Sequence, residues 1–594
     1  MITYRIDLSQ AHAHRFLLTL QVAKPAPEVL LSLPVWIPGS YLVREFARYL
    51  NGLEATQSGK PCVVQQIDKA SWRVITKGKG TLTVQYEVYA NDTSVRAAFL
   101  DNKRGFFNGT STFLSVVGCE DQAHRLQITG LPKGWSVATA MPSAKTDARG
   151  QGWYEAPNHD ALVDHPVELG AFWRGSFNVR GVVHDMVVSG ATAQADLDRL
   201  LKDTQAICAQ EISFWHGRRK PPFERYVFML NVVDDGYGGL EHRNSTALIC
   251  SRKDLPRQGL DTRSEGYTTL LGLISHEYFH TWNVKRLKPK EFAPYDYTRE
   301  NHTQMLWFFE GFTSYYDDLI LLRAGLITAA DYLKLLNKPV NQVLATPGRL
   351  QQSVAQASFD AWTRYYRPDE NTANSTVSYY TKGSLVALCL DLSLRLGAAR
   401  ADGSAPSLDG VMQRLWALQR PIAEDDVLQA LNDESTALPP HGKTWADVLT
   451  AWVHGVGELP LADLLARFGV HWTAKPPSVT QQWGLRVQER NESLKVQAVM
   501  RASPAEDAGL SAGDELLALN GWRLKRAEDL QAWRSHQGPQ NLLLCRDQQL
   551  QEVKLPHGHE QPTGWGLSAV ISPCPPQAMD IDTQARQQAW LKQG

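Results

Sequence analysis

Leu270-Leu-Gly-Leu-Ile-Ser-His-Glu-Tyr-Phe-His-Thr-Trp-Asn-Val-Lys-Arg-Leu287 is the stretch from which the rest of the chain can be read. It contains His276-Glu277-x-x-His280. On a helix, residues four apart stand one turn apart on the same face, so both imidazoles aim at one point. That is the placement of two zinc ligands. Glu277 lies about 100° further round the helix, where it can act as a base towards a water without ligating the metal. Leu270, Leu271, Ile274 and Tyr278 recur at helical spacing, with Ser264 as the expected N-cap and Pro289 as the expected far limit. Gly266 and Gly272 each weaken the helix by about 1 kcal/mol relative to alanine.

Two histidines need a third ligand. Met305-Leu-Trp-Phe-Phe-Glu-Gly-Phe-Thr-Ser-Tyr-Tyr-Asp-Asp-Leu-Ile-Leu-Leu322 reads as a second helix with one carboxylate, Glu310, among apolar neighbours. A lone buried carboxylate is costly unless a cation or hydrogen-bond donors meet it, and zinc is such a cation. Glu300 is the rival, in a polar stretch where a solvated side chain is expected. A structural zinc site is closed by four protein ligands, whereas three ligands beside an activating glutamate fit catalysis.

The 594 residues allow several domains, and 43% hydrophobic with 21% charged residues is ordinary for a globular protein. With 61 basic and 62 acidic side chains, no charge asymmetry favours nucleic acid or an acidic membrane. The 7 cysteines form no CxxC pair and fit a reducing compartment better than a disulfide framework. Neither a signal peptide nor an apolar run of about 18 residues is present, so the chain is expected to be soluble and cytoplasmic.

Residues 1–182 read as an N-terminal β-sandwich-like domain. Phe16, Leu18, Leu20 and Val22 share one face of a strand, as do Leu82, Val84, Tyr86 and Val88, and Ile37-Pro-Gly-Ser40 is a turn. His12 and His14 are expected to alternate along a strand, facing solvent. Residues 183–474 read as α/β and then helical: an amphipathic helix across Asp196–Trp215, strands at Tyr226–Val233 and Thr246–Cys250, the two metal helices, and further helices to about 470. Lys475-Pro-Pro-Ser478 is a linker. Residues 475–560 resemble the PDZ modules of bacterial proteases. Ala508-Gly-Leu-x-x-Gly-Asp514 and Asn520-Gly521 match the core signature, and Gly484-Leu485 matches the carboxylate-binding loop. The resemblance makes Gly484, Leu485, Arg486 and Val487 the expected contacts of a C-terminal peptide added as a strand. The tail, 561–594, gives no readable signal.

Taken together, His276-Glu-Tyr-Phe-His-Thr-Trp-Asn-Val-Lys-Arg286, Tyr237-Gly-Gly-Leu-Glu-His242 and Leu306-Trp-Phe-Phe-Glu-Gly-Phe-Thr-Ser-Tyr-Tyr316 resemble the PDZ-bearing glycyl aminopeptidase family of gluzincin metallopeptidases. The resemblance covers nearly the whole chain. It implies a multidomain α+β protein: an N-terminal β domain, a thermolysin-like catalytic domain with a helical region, and a C-terminal PDZ domain. It implies one zinc per chain held by His276, His280 and Glu310, and removal of small N-terminal residues such as Gly or Ala from peptides with a free N-terminus. By similarity to related zinc aminopeptidases, Gly238, Gly239 and Glu241 are expected to grip the substrate's amine and backbone. Leu240 and His242 stand where Met and Asn are commoner. Tyr380-Thr-Lys-Gly383 resembles a motif whose tyrosine stabilises the tetrahedral intermediate, and the adjacent Tyr379 leaves that assignment open by one residue. Position 314 is serine where thermolysin-type enzymes often carry a carboxylate, with Asp317 and Asp318 as candidates for its role. The alternatives are a zinc endopeptidase with PDZ-guided substrates, and a PDZ scaffold with a structural zinc.

Overall fold

Alternating burial builds the N-terminal sheet. Phe16, Leu18, Leu20 and Val22 are buried along Arg15–Val22, and Leu82, Val84, Tyr86 and Val88 along Leu82–Tyr89. The two strands pair antiparallel with Leu18 opposite Tyr86, so the period-two apolar sets fall on one face. They belong to an eight-stranded sheet ordered Ser143–Thr146, Gly152–Ala156, His124–Thr129, Ile2–Gln10, Arg15–Val22, Leu82–Tyr89, Leu50–Gln57 and Lys60–Pro61. Two four-stranded sheets contribute Phe106, Phe107, Leu31, Trp72 and Val74 to the same core, which makes the region sandwich-like. The computed structural model describes residues 2–398, 405–435, 437–439, 444–535, 537–558 and 567–592. His12 and His14 do not alternate along a strand. Ala11–Ala13 is a 3-10 turn, and His14 adopts a φ of +56° with Nδ1 2.6 Å from the Leu100 carbonyl.

The first compact unit runs to Asn301, together with Gln419–Pro421. Its remaining sheet has five strands, ordered Trp173–Val179, Val182–Ser189, Arg225–Val233, Ser245–Ser251 and Tyr237–Glu241. Val182–Ser189, Arg225–Val233 and Ser245–Ser251 run parallel, and the helix Leu197–His216 makes the crossover between the first two. Tyr237–Glu241 pairs antiparallel with Ser245–Ser251, leaving its other edge without a strand partner among the described residues. Val187, Val227, Met229, Leu240 and Ala247 join the β-domain core, so one apolar interior is continuous through the unit.

The motif helix spans Glu265–Phe279, and the Ser264 side chain accepts from Tyr267 N as its N-cap. Gly266 is there for space, because a Cβ would stand 2.8 Å from Asp254 Cγ. The far limit differs from expectation: the helix ends at Phe279, ten residues before Pro289. Beyond the C-cap His280, Asn283 turns its carbonyl back to His280, Val284 takes a φ of +104°, and Leu287 N bonds Trp282 O. The loop is drawn inward by Lys285, whose buried ammonium lies 2.7 Å from Asp164.

The second unit, from His302 apart from those three residues, is helical before it becomes β. Leu306–Arg323 and Thr381–Arg395 approach very closely. A Cβ on Gly311 would lie 2.6 Å from Gly383 Cα, and one on Gly383 would lie 2.7 Å from Trp307 O. After a series of helices, Val470–Ala474 pairs with Ala569–Pro573. Asn337 and Asn341, one turn apart on the helix Ala329–Leu344, each exchange side-chain hydrogen bonds with the backbone of that last strand. The final helix, Ile581–Trp590, brings Trp590 against Tyr332 and Phe468. The expected tail is therefore a built-in strand and helix, although 561–566 and 593–594 lie outside the described residues. The PDZ module has its own core around Trp483, Leu494, Leu516, Leu530 and Leu544. Its sheet begins with Leu485–Arg490 at an edge, and Asn520 and Gly521 make a tight turn with φ values of +52° and +86°.

Candidate active site

The motif helix is fixed from several sides before any chemistry is considered. Ser275 donates to Glu211, the Tyr278 hydroxyl lies 2.8 Å from His184 Nε2, and Trp282 Nε1 donates to His216 Nε2 at 2.7 Å. Burial, with Arg219 and Arg286 nearby, lowers His216 to about 4, so its ring is neutral and can accept. So held, His276 and His280 turn their Nε2 atoms to within 3.0 Å of each other. Two imidazole ligands about 2.0–2.1 Å from a tetrahedral zinc stand roughly 3.3 Å apart, so the pair is already arranged for a metal. His280 Nδ1 lies 2.8 Å from the Asn283 carbonyl. Only an N–H can bond a carbonyl, which leaves the Nε2 lone pair for a metal. For His280 the orienting group at Nδ1 is thus a backbone carbonyl.

Glu277 is buried against the edge strand, where a Cβ on Gly239 would stand 2.5 Å from Glu277 Cγ. Any larger residue at 239 displaces the Glu277 side chain. Two residues along the same strand, Glu241 is buried, and its Oε1 has no hydrogen-bond partner among the described residues. The other side of that carboxylate meets the turn Ile37–Ser40. Gly39, at a φ of +91°, would place a Cβ 2.6 Å from Glu241 Cδ. Hydrogen bonds from Val35 N to Tyr297 O and from Trp36 Nε1 to Asp296 O pin this turn, and Tyr41 stacks on Phe292.

His242 does not face the same way chemically as Glu241. Its Nδ1 lies 3.2 Å from Asp164, and burial lowers its pKa, keeping the ring neutral. Asp164 also receives Lys285 Nζ at 2.7 Å and the Arg243 backbone N–H at 3.1 Å. Burial alone would raise the Asp164 carboxyl, but Lys285 and Arg243 outweigh it and hold it well below the usual range. Asp160 pairs with Arg243 and accepts from Tyr297 at 2.5 Å. This network ties the end of the strand Tyr237–Glu241 and the Lys285 loop to the helix His159–Val163.

Glu310 is 2% exposed in its helix, as the sequence predicts for a lone carboxylate in an apolar run, and the rival Glu300 is exposed. His276, His280 and Glu310 together offer two nitrogens and an oxygen, a donor set suited to zinc. Tyr380 is the N-cap of Thr381–Arg395, which the Gly311–Gly383 approach holds against the Glu310 helix. Its hydroxyl lies 3.1 Å from that of Tyr366. Tyr379 stacks on Tyr380 and is fully buried, its hydroxyl pKa raised by burial and then by Tyr366 and Glu310. Burial also pulls Lys382 down to about 8, and its Nζ donates to Arg349 O.

In the PDZ module, Gly484 ends the short helix Val479–Trp483 with a φ of +72° and gives its N–H to Gln481 O. Leu485, Arg486 and Val487 lie on the edge strand, and Arg486 donates to Ala345 O at 2.8 Å. The residues that sequence reading passed over are Gly39, Asp164, Lys285 and Gly311. Only Gly311 carried a local signal, beside Glu310 and small enough for a close helix crossing.

Residues 3–171 match the model of the Peptidase M61 N-terminal domain, 269–386 that of M61 glycyl aminopeptidase, and 472–543 that of the PDZ domain. No curated protein matches the chain significantly. The crystal structure of an aminopeptidase N family protein from Idiomarina loihiensis is 36% identical, covers 100% of both chains and superposes with a TM-score of 0.89. That of an M1 zinc metallopeptidase from Deinococcus radiodurans is 14% identical, covers 77% of this chain and 93% of its own, and has a TM-score of 0.45. With the His-Glu-x-x-His helix, the N-terminal β domain and the PDZ module in one chain, the protein belongs to the M61 glycyl aminopeptidase family of metallopeptidases.

Proposed function

We propose that the protein is a zinc aminopeptidase that removes small N-terminal residues, Gly or Ala, from peptides. The observation that carries the reading is Glu241: a buried carboxylate with one oxygen lacking a partner among the described residues, on an open strand edge, two residues from the point where Glu277 meets the strand. A substrate ammonium supplies the missing partner, and only the first residue of a peptide carries one there. The family's glycyl specificity supports a small first residue.

His276, His280 and Glu310 would hold the zinc, which when bound supplies Lewis-acid polarisation of the attacking water and the scissile carbonyl. Glu277 takes the water's proton and passes it to the leaving amine. Tyr380 donates to the developing oxyanion. The backbone of Gly238 and Gly239 pairs with the extended substrate, holding the first peptide bond in register. On the same reading the chain divides into a β domain (1–182), a catalytic domain (183–474), a PDZ domain (475–560) that takes a C-terminal peptide along Leu485–Val487, and a tail (561–594). The seven free cysteines support a cytoplasmic setting.

The test is digestion of a peptide library, free and N-acetylated, with products read by mass spectrometry. Release of single N-terminal residues from the free peptides alone is expected. Internal cleavage of both sets at equal rates overturns the reading in favour of an endopeptidase.

A further inference from the structure

Three features follow one another along the strand Tyr237–Glu241. Glu241, with its unpartnered oxygen, is at one end. Gly239 comes next, backed by Glu277. At Gly238 the neighbour is Arg96, whose Nη1 lies 3.9 Å from where a Cβ would stand. Arg96 projects from a turn that is held firmly. Val95 and Ala97 on either side are buried, and Asn108 Nδ2 donates to the Val95 carbonyl at 2.8 Å while Asn108 N donates to that of Ala97 at 3.2 Å. The Arg96 side chain is half-buried, its Nε is buried without a hydrogen-bond partner, and it makes no ion pair among the described residues. A guanidinium so placed, desolvated in part and unmatched by any acid, is uncommon unless a ligand supplies the anion.

The strand therefore carries an unmatched anion at one end and an unmatched cation at the other, with Glu277 between them. We infer that Arg96 forms a carboxylate subsite, and that the substrates this enzyme handles best are short peptides, tripeptides above all, whose C-terminal carboxylate reaches it. The inference rests on the aminopeptidase reading of Glu241. An extended peptide paired along the open edge advances about 3.3 Å per residue, so the three steps from Glu241 to Gly238 span roughly 10 Å. A tripeptide covers that span from amine to carboxylate. A dipeptide falls a residue short, and a longer chain sets an uncharged amide against Arg96. Hydrolysis of the first bond by water leaves a free amino acid at Glu241 and a dipeptide whose carboxylate stays on Arg96.

The experiment compares initial rates of the zinc-loaded, full-length protein on Gly-Ala-Ala and on its C-terminal amide. A charge-assisted bond of this kind is expected to favour the acid by about tenfold or more in kcat/KM, chiefly through KM. Arg96→Ala should bring the acid-to-amide ratio to about one, and Arg96→Lys should restore part of it. A further pair, Gly-Ala-Glu-Ala amide against its Gln counterpart, separates a side-chain carboxylate from a terminal one, and preference for either carboxylate upholds the subsite. Equal rates on acid and amide by the parent protein, or a preference that survives Arg96→Ala, overturns it. An enzyme that requires a free amine yet ignores the C-terminus loses only the Arg96 subsite, whereas one that cuts acetylated peptides equally loses the reading beneath it.

Discussion

Gly39→Ala introduces a single methyl group about two hundred residues in sequence from the strand it disturbs. The new Cβ would stand 2.6 Å from Glu241 Cδ. Nonbonded carbons settle at about 3.5–4.0 Å, so the carboxylate or the turn must retreat by roughly 1 Å. The turn resists, because its flanks are hydrogen-bonded to Asp296 and Tyr297 and it is packed on Phe292. Alanine at a φ of +91° also adds about 1–2 kcal/mol of backbone strain, which should lower the melting temperature by a few degrees without unfolding the chain. Displacing an anchoring group by about 1 Å costs on the order of 100-fold in turnover. The assay is kcat/KM on a free-amine glycyl peptide, with zinc content and thermal melting measured in parallel. A fall of about 100-fold at normal zinc content is expected. Adding Glu241→Asp, a carboxylate one methylene shorter, should recover part of the loss. A folded Gly39→Ala protein that keeps the parent rate contradicts the placement of Glu241 against this turn as a determinant of catalysis.

Gly239→Ala should act on the neighbouring carboxylate, since its Cβ would lie 2.5 Å from Glu277 Cγ. It should mimic Glu277→Gln, with metal content retained and most turnover lost, as metal analysis beside a rate assay would read; loss of zinc from Glu277→Gln counts against its role as base. Tyr380→Phe should lower turnover by ~10²–10³-fold with little change in KM, and Tyr379→Phe should be nearly silent; the reverse pattern moves the oxyanion role to Tyr379. Asp164→Asn leaves the buried Lys285 short of its anion and should destabilise the protein by about 3–5 kcal/mol at pH 7. Because the folded Asp164 carboxyl is held below its unfolded value near 3.9, that stability is present above about pH 4 and is lost as pH falls further. The gap between variant and parent in denaturant melts should thus be full at pH 7 and shrink below about pH 4, and a gap that widens in acid contradicts the network.

The parts of this architecture that could be read in the sequence are those with a local period or a local anomaly. The motif helix shows its apolar face at helical spacing and its cap at Ser264. Glu310 stands out as a carboxylate in an apolar run, and burial follows from that alone. What could not be read depends on residues distant in the chain. Gly39 looks like any turn glycine until the tertiary fold brings Glu241 against it. The end of the motif helix at Phe279 has no local signal, because Asp164, more than a hundred residues earlier, draws Lys285 inward and turns the chain before Pro289. The last strand, Ala569–Pro573, has little apolar alternation of its own, and its edge is completed by Val470–Ala474 and by two asparagines on another helix. Arg96 likewise reads as a solvated surface charge, since nothing near it in sequence reveals the open strand edge beside Gly238.

The most direct test of the central claim is the ratio of cleavage rates on one glycyl peptide with its amine free and with it acetylated, for the parent protein and for Glu241→Ala at matched zinc content. Blocking the amine leaves the buried Glu241 carboxylate unpaired, a penalty of roughly 1–3 kcal/mol or more, so the parent should prefer the free peptide by at least about tenfold. In Glu241→Ala that preference should largely disappear. A parent protein with a ratio near one, or a Glu241→Ala variant that keeps the full preference, contradicts the account.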